Sequence, residues 1–271
     1  MTRQLSLTIL LLCLLGTAVS ADGMVQPAAT TDCCGSAPFA GAYIGAALGF
    51  ARQRTEILNE TVGAPAFGLT FKDQEDSVTF GGYVGYNWQR CCSPVVFGVE
   101  ADFNYLNTSP TALDIEPDLG VGTETTSLKS NIDWFGTLRG RAGFVVHDQL
   151  LLYATGGLAY ARVDHTLSDD CVGCGTPPAP GINLGTFSQS DKKTKVGWTV
   201  GGGVELVHDA HWLLRAEALY VDLGSDGQSY VVVTPAGTGT ADTKWDDQFW
   251  VARLGVAYKF SAPDCCAAPL K

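Results

Sequence analysis

Eight stretches of this 271-residue chain alternate apolar and polar side chains with a period of two, and that alternation constrains the fold more than any other feature. They lie near 39–51, 77–89, 95–107, 131–147, 149–163, 194–208, 211–223 and 248–260. The links between them alternate as well. Gln89-Arg90-Cys91-Cys92-Ser93-Pro94, His147-Asp148-Gln149 and His208-Asp209-Ala210-His211 read as tight turns. The other four links, near 52–76, 108–130, 164–193 and 224–247, run to roughly 23 to 30 residues rich in Gly, Pro, Thr, Ser and Asp. A compact water-soluble domain does not need four such connections. Strict short–long alternation is instead the up-and-down pattern of a closed barrel, with turns at one mouth and loops at the other. An even strand count leaves both chain ends on the short-turn side.

The faces decide which side meets oil. In the third stretch Phe97, Val99, Ala101, Phe103 and Tyr105 share one face, against Glu100, Asp102 and Asn104. The fourth sets Trp134, Leu138, Ala142, Phe144 and Val146 against Asp133, Thr137, Arg139 and Arg141. The seventh sets Trp212, Leu214, Ala216, Ala218 and Tyr220 against Arg215 and Glu217. The eighth sets Trp250, Leu254, Val256, Tyr258 and Phe260 against Arg253 and Lys259. Mid-strand charges on the non-apolar face have no place in a sandwich core, and are tolerable where they pair inside a barrel whose outside is lipid. Trp134, Trp212, Tyr220, Trp250 and Tyr258 fall near strand ends, as interfacial aromatic girdles require. The expected fold is therefore all-β: an eight-stranded antiparallel up-and-down transmembrane β-barrel over 39–260.

The ends agree with export. Arg3 supplies a positive start, Leu5 to Leu15 is nearly all apolar, and Ala18, Ser20 and Ala21 offer small residues for cleavage, so 1–21 reads as a signal peptide. Cys13 follows Leu12 inside the apolar run and reads as filler, not a lipidation site. Residues 22–38 read as a flexible periplasmic lead-in and 261–271 as a periplasmic extension. No later run approaches the roughly 18 apolar residues of a spanning helix. The net charge is −11, and loss of Arg3 with the signal leaves 16 basic against 28 acidic residues, −12. Nucleic acid is excluded as a partner, since its binders need a basic patch. The acids cluster in Glu56 to Asp76, Asp114 to Glu124, Asp164 to Asp170 and Asp222 to Asp247, and read as solvated loops.

Four segments resemble a known family. They are Phe39-Ala40-Gly41-Ala42-Tyr43-Ile44-Gly45, Gly81-Gly82-Tyr83-Val84-Gly85-Tyr86-Asn87-Trp88, Asp133-Trp134-Phe135-Gly136-Thr137-Leu138-Arg139-Gly140-Arg141 and Val251-Ala252-Arg253-Leu254-Gly255-Val256-Ala257-Tyr258-Lys259-Phe260. They are similar to the small eight-stranded barrels known as outer-membrane immunogenic, opacity-like or porin-family proteins, related in architecture to the OmpA membrane domain. The resemblance covers about 39–260 and implies a Gram-negative outer-membrane location with periplasmic termini. It says little about activity, because fold does not imply function. Family members usually end on the aromatic residue of the last strand, whereas here Ser261 to Lys271 follow Phe260.

Three constellations could carry chemistry. Glu100, Asp102, Glu205 and Glu217 oppose Arg139, Arg141, Arg215 and Arg253, four acids against four bases. They line a narrow diffusion pore or form a self-neutralising plug. An eight-stranded interior is just wide enough for side chains to fill, which favours the plug. Cysteines come next. Cys171-Val172-Gly173-Cys174 reads as a loop-closing disulfide, since no second CxxC follows. Cys33-Cys34, Cys91-Cys92 and Cys265-Cys266 should crowd one sector of the short-turn rim, because strand one pairs with strands two and eight. Disulfides between these doublets are the first reading and a thiolate zinc or copper site the second; six cysteines allow 15 pairings. Of the four histidines, His147, His208 and His211 sit in turns, and the HDAH spacing is a weak metal pattern. His165, near Ser168, Asp169 and Asp170, offers the parts of an outer-leaflet lipid-modifying enzyme without showing their geometry. Gly201-Gly202-Gly203 follows no phosphate-loop spacing and reads as close-packed wall. The expectation is a non-enzymatic structural and surface-interaction protein with no cofactor or resident metal. Its expected partners are outer-membrane lipid and lipopolysaccharide, the barrel-assembly machinery and a host or surface ligand at the outer loops. The rivals are a passive diffusion porin, an outer-leaflet lipid-modifying enzyme centred on His165 and a soluble ligand-binding barrel.

Overall fold

At membrane height the chain alternates so persistently that the backbone runs from strand to strand around a closed wall. The computed structural model describes residues 37–62, 69–108, 111–118, 122–147, 149–172, 187–209, 211–234 and 237–260. Residues 1–36, where the signal peptide and lead-in are expected, residues 261–271, and Cys33, Cys34, Cys174, Cys265 and Cys266 lie outside the described residues. Every regular element within them is a strand: β1 (Gly41–Val62), β2 (Leu69–Gln89), β3 (Val95–Thr108), β4 (Thr111–Asp118), β5 (Gly122–His147), β6 (Leu150–Val172), β7 (Phe187–His208), β8 (Trp212–Thr234) and β9 (Gly237–Lys259).

All pairings are antiparallel, and β1 hydrogen-bonds to both β2 and β9. Because β3 also pairs with β5, the order β1–β2–β3–β5–β6–β7–β8–β9 returns to β1 as a ring. The short β4 extends β3: Thr108 pairs with Ile132, and Thr111 then pairs with Lys129 on the same strand β5. Counting β3 and β4 as one wall segment, the barrel has the expected eight strands. Closure leaves no unpaired edge in the membrane, where an unsatisfied backbone group is costly.

The strands are longer than the apolar alternation suggests. β1 continues to Val62, and β5 begins at Gly122, well outside 39–51 and 131–147. The four long links are thus largely hairpin arms, not the expected loops. Much of the arm sequence is polar without alternation, as in Thr123-Glu124-Thr125-Thr126-Ser127, so hydropathy does not mark it; β-branched residues and cross-strand pairing make the arms strands. At ~3.3 Å per residue the 22 residues of β1 span about 70 Å, and at ~40° tilt they stand about 55 Å tall against a ~25 Å apolar band.

Lipid-facing side chains mark that band. Ile44, Leu48, Val84, Phe97, Leu138, Leu158, Leu214 and Leu254 are exposed on the outer wall. Aromatic rings bound it at both heights. Toward the hairpin arms, Phe103–Trp134, Trp198–Tyr220 and Tyr220–Trp250 lie 5.2, 5.4 and 4.9 Å apart between centroids. Toward the short turns, Tyr86–Trp88 and Trp212–Tyr258 lie 5.0 and 5.4 Å apart.

Two local departures correct the sequence reading. The first strand does not begin at residue 39: residues 37–40 form a turn, closed by Ala40 N donating to the Ala37 carbonyl at 3.1 Å. Phe39 is fully buried there; its N–H donates to Gln89 Oε1 at 3.0 Å, and its carbonyl accepts from Asn87 Nδ2 at 3.1 Å. Lys259 Nζ donates to the Pro38 carbonyl, so this turn caps the short-turn mouth. The second departure is at Asp133. A register shift between Ile132 and Trp134 lifts Asp133 out of the alternation, and Ile132 takes the inward position instead.

Candidate functional site in the barrel lumen

Spacing by two puts each pair of inward charges on one face: Glu100 and Asp102 on β3, Arg139 and Arg141 on β5, Arg215 and Glu217 on β8. Glu205 on β7 and Arg253 on β9 complete the set, and all eight are at most 5% exposed. The structure brings all eight into one network. Arg139 donates to Glu100 at 2.6 Å, to Asp102 at 3.0 Å and to Glu217 at 3.0 Å. Arg253 reaches Glu217 at 2.6 Å, Asp102 at 2.9 Å and Asn104 Oδ1 at 3.0 Å. Arg215 joins Glu100 at 2.7 Å and Glu205 at 2.8 Å, while Arg141 reaches Glu205 at 3.1 Å.

Three tyrosines that the sequence reading did not place in the site complete it. Tyr43 donates to Glu100 at 2.7 Å and accepts from Arg141 at 3.0 Å; Tyr153 donates to Glu217 at 2.9 Å. The Arg215 guanidinium lies 4.3 Å from the Tyr83 ring centroid and Arg141 4.1 Å from that of Tyr153, close enough for cation–π attraction. The available signal was glycine. A Cβ on Gly85 would stand 2.3 Å from the Tyr43 hydroxyl, and one on Gly45 2.5 Å from Tyr83 Cζ, so the rings lie where only a glycine wall leaves room.

Beyond the network, toward the arms, the interior turns apolar. Leu106, Ile132, Phe135, Leu219, Val221 and Phe249 are fully buried there. Phe135 on β5 and Phe249 on β9 come from opposite walls and meet edge to face, 5.1 Å between centroids at 68°.

A second polar layer follows. Asp247, expected in a solvated loop, is fully buried and is the hub. Its Oδ2 lies 3.0 Å from His165 Nε2 and accepts from Lys195 Nζ at 3.1 Å, and its Oδ1 accepts from Ser130 at 3.0 Å. Gln53 Nε2 donates to Ser130 at 3.4 Å, and Thr108 donates to Gln53 Oε1. Lys195 also donates to the Gly224 carbonyl at 3.1 Å; Gly224, at φ +70°, stands where the β8–β9 register shifts between Asp222 and Ser225. Trp245 stacks on His165 at 4.3 Å and 9°. This layer lies outside the membrane band, since Asp247 is three residues beyond the girdle's Trp250. Burial raises the Asp247 carboxyl, but the hydrogen bonds and charges of His165 and Lys195 outweigh it and hold the group at about 2.

The catalytic grouping at His165 is not assembled. Ser168 is three residues along the strand, on the opposite face, while the His165 ring points inward to Asp247. His147, His208 and His211 are exposed at the turns, with His208 3.1 Å from its neighbour Asp209. Among the described residues, no group of three or more His, Cys, Asp or Glu could hold a metal ion. Cys91, in the β2–β3 turn, is disulfide-bonded; Cys92 beside it is exposed at φ +63°. Cys171 falls at the arm end of β6.

Residues 9–260 match the family model described as the outer membrane protein beta-barrel domain. The 31 kDa outer-membrane immunogenic protein of Brucella melitensis biotype 1 is 31% identical over 261 residues, covering 90% of this chain and 93% of the relative. The 22 kDa outer membrane protein of Rhizobium leguminosarum bv. viciae is 29% identical over 201 residues, covering 73% and 75%. Among solved structures, OprG of Pseudomonas aeruginosa aligns over 82% of this chain and 97% of its own at a TM-score of 0.49 and 17% identity. The chain belongs to the outer-membrane β-barrel family, and its place is the outer membrane of a Gram-negative bacterium.

Proposed function

We propose that this protein is a structural and surface-interaction component of the outer membrane whose lumen is closed. The observation that carries the reading is that side chains meet across the lumen, from opposite walls, at three successive heights. Arg215 reaches Glu100, Phe135 reaches Phe249, and Ser130 reaches Asp247. A lumen bridged in this way holds no continuous water column, and an eight-stranded wall encloses little more than its own side chains. The surface left for recognition is the hairpin arms, which rise well beyond the apolar band and carry exposed pairs such as Arg52–Asp76 at 2.6 Å. The relatives' designation as immunogenic supports arms that face outward, with the short turns and both ends of the described chain toward the periplasm. Lipopolysaccharide at the outer girdle and the barrel-assembly machinery are the partners such a protein meets.

Two measurements test this. Protein reconstituted in planar bilayers should show no steady conductance, and protease added to intact cells should cut the arms while sparing the short turns. Stable wild-type conductance would replace this reading with a narrow diffusion pore, and cleavage confined to the short turns would invert the orientation.

A further inference from the structure

Taking the lumen as closed, as proposed above, we infer that the barrier to ions is the apolar layer centred on Phe135 and Phe249, and that the charge network beneath it is a structural brace. The two layers treat an ion differently. In the network, partners are shared: Glu100 stands within 4.0 Å of Arg139, Arg141, Arg215 and Arg253. Such a set can exchange contacts, and its carboxylates and guanidiniums can replace part of an ion's hydration shell. Spare polar capacity is present as well, in Glu205 Oε1, Arg139 Nε and the Tyr83 hydroxyl, all buried without a hydrogen-bond partner.

The apolar layer offers nothing comparable. Leu106, Ile132, Phe135, Leu219, Val221 and Phe249 present only carbon to the lumen. Thr199 and Thr79, which also face inward, turn their hydroxyls to the wall, donating to the Tyr220 and Tyr105 carbonyls at 2.9 Å each. An ion at this height sheds its water and gains no ligand, the condition under which a hydrophobic constriction blocks by staying dry. The polar layer beyond it is again built of hydrogen-bonding groups that water can imitate. The dry step is therefore the one that limits passage, and the network's role is to hold β3, β5, β7, β8 and β9 in register.

The test compares three proteins in planar bilayers, each first checked for heat-modifiable gel mobility. The Phe135→Ser/Phe249→Ser variant should conduct steadily, at least about tenfold above the wild-type leak, because it wets the constriction. The Glu217→Gln/Arg253→Gln variant, which neutralises both partners of a network pair, should stay as closed as the wild type. If the double serine variant does not fold, Val163→Thr/Val221→Thr/Val251→Thr, at three buried valines of the same apolar cluster, adds hydroxyls at nearly constant volume and is read the same way. A folded layer variant that stays sealed, or a network variant that conducts, overturns the inference while leaving the closed lumen standing. Steady conductance by the wild type overturns the closed lumen itself.

Discussion

Arg215 on β8 donates to Glu100 on β3 at 2.7 Å, although the two strands stand diametrically opposite in the eight-membered ring. The bond therefore spans the lumen. Both groups are buried, so removing Arg215 leaves the four enclosed carboxylates facing three arginines, a net charge inside the wall. Arg215→Met should destabilise the barrel by roughly 3–5 kcal/mol, the usual cost of breaking a buried pair from one side. Arg52→Ala, which breaks an exposed pair with Asp76, should cost no more than about 0.5 kcal/mol. Urea unfolding followed by tryptophan fluorescence in the same detergent compares them, and equal midpoints for both variants would contradict the assignment of Arg215 to a dry network.

Closure of β1 onto β9 along Tyr43 to Val62 leaves no free edge from which unfolding can begin. The unheated protein in detergent should accordingly run ahead of the boiled protein on a denaturing gel. Identical mobilities would mean that the ring does not close in the purified protein.

What the sequence made legible follows from where the apolar alternation stops. The eight membrane-level strands and the eight inward charges could be read because a lipid-facing wall demands one apolar residue in every two, leaving Arg139 or Glu217 no face but the lumen. Above Trp250 the outer wall meets water and the demand lapses, so the arms carried no hydropathy signal and read as loops. Asp247 was misplaced for that reason: its inward position follows from strand parity continuing past the girdle. The Phe135–Phe249 contact was hidden differently. Both residues lie on the inward parity, where apolar side chains break the polar pattern, and the register shift at Asp133 blurs that parity on β5. Phe39 escaped because a buried turn at a barrel mouth has no periodicity at all.

The short-turn rim carries the prediction about cysteines. Gln89, two residues before the disulfide-bonded Cys91, accepts the Phe39 N–H, so the 37–40 turn is held against the end of β2. Cys33 and Cys34 lie within a few residues of that turn in sequence. We expect Cys91 to pair with Cys33 or Cys34, with Cys171 joined separately to Cys174. A bridge there closes a loop of more than fifty residues through the cap and should stabilise by roughly 2–4 kcal/mol. Non-reducing peptide mapping of protein taken from the outer membrane identifies the pairs. A Cys91 peptide cross-linked to Cys265 or Cys266 would move the bridge to the other chain end.

The final prediction concerns acid. Asp247 is held at about 2, below the ordinary 3.8, by His165 and Lys195 acting against burial. A group depressed on folding contributes stability that is fully present above its unfolded value and is lost as pH falls toward its folded one. The stability contributed by the depressed Asp247 carboxyl should thus decline as pH falls between about 4 and 2. A shift of this size corresponds to roughly 2 kcal/mol. The lost stability should be felt in the hairpin arms, because the contacts in question are Ser130, His165, Lys195 and, through Ser130, Gln53 and Thr108, all beyond the apolar layer. Hydrogen exchange of the arm amides, measured from pH 6 to pH 2 and corrected for the intrinsic rate, should show protection falling in that window for the wild type. Asp247→Asn should start with weaker protection and lose less of it, since the carboxylate is already gone. Parallel curves for the two proteins would show that Asp247 does not hold the outer mouth together.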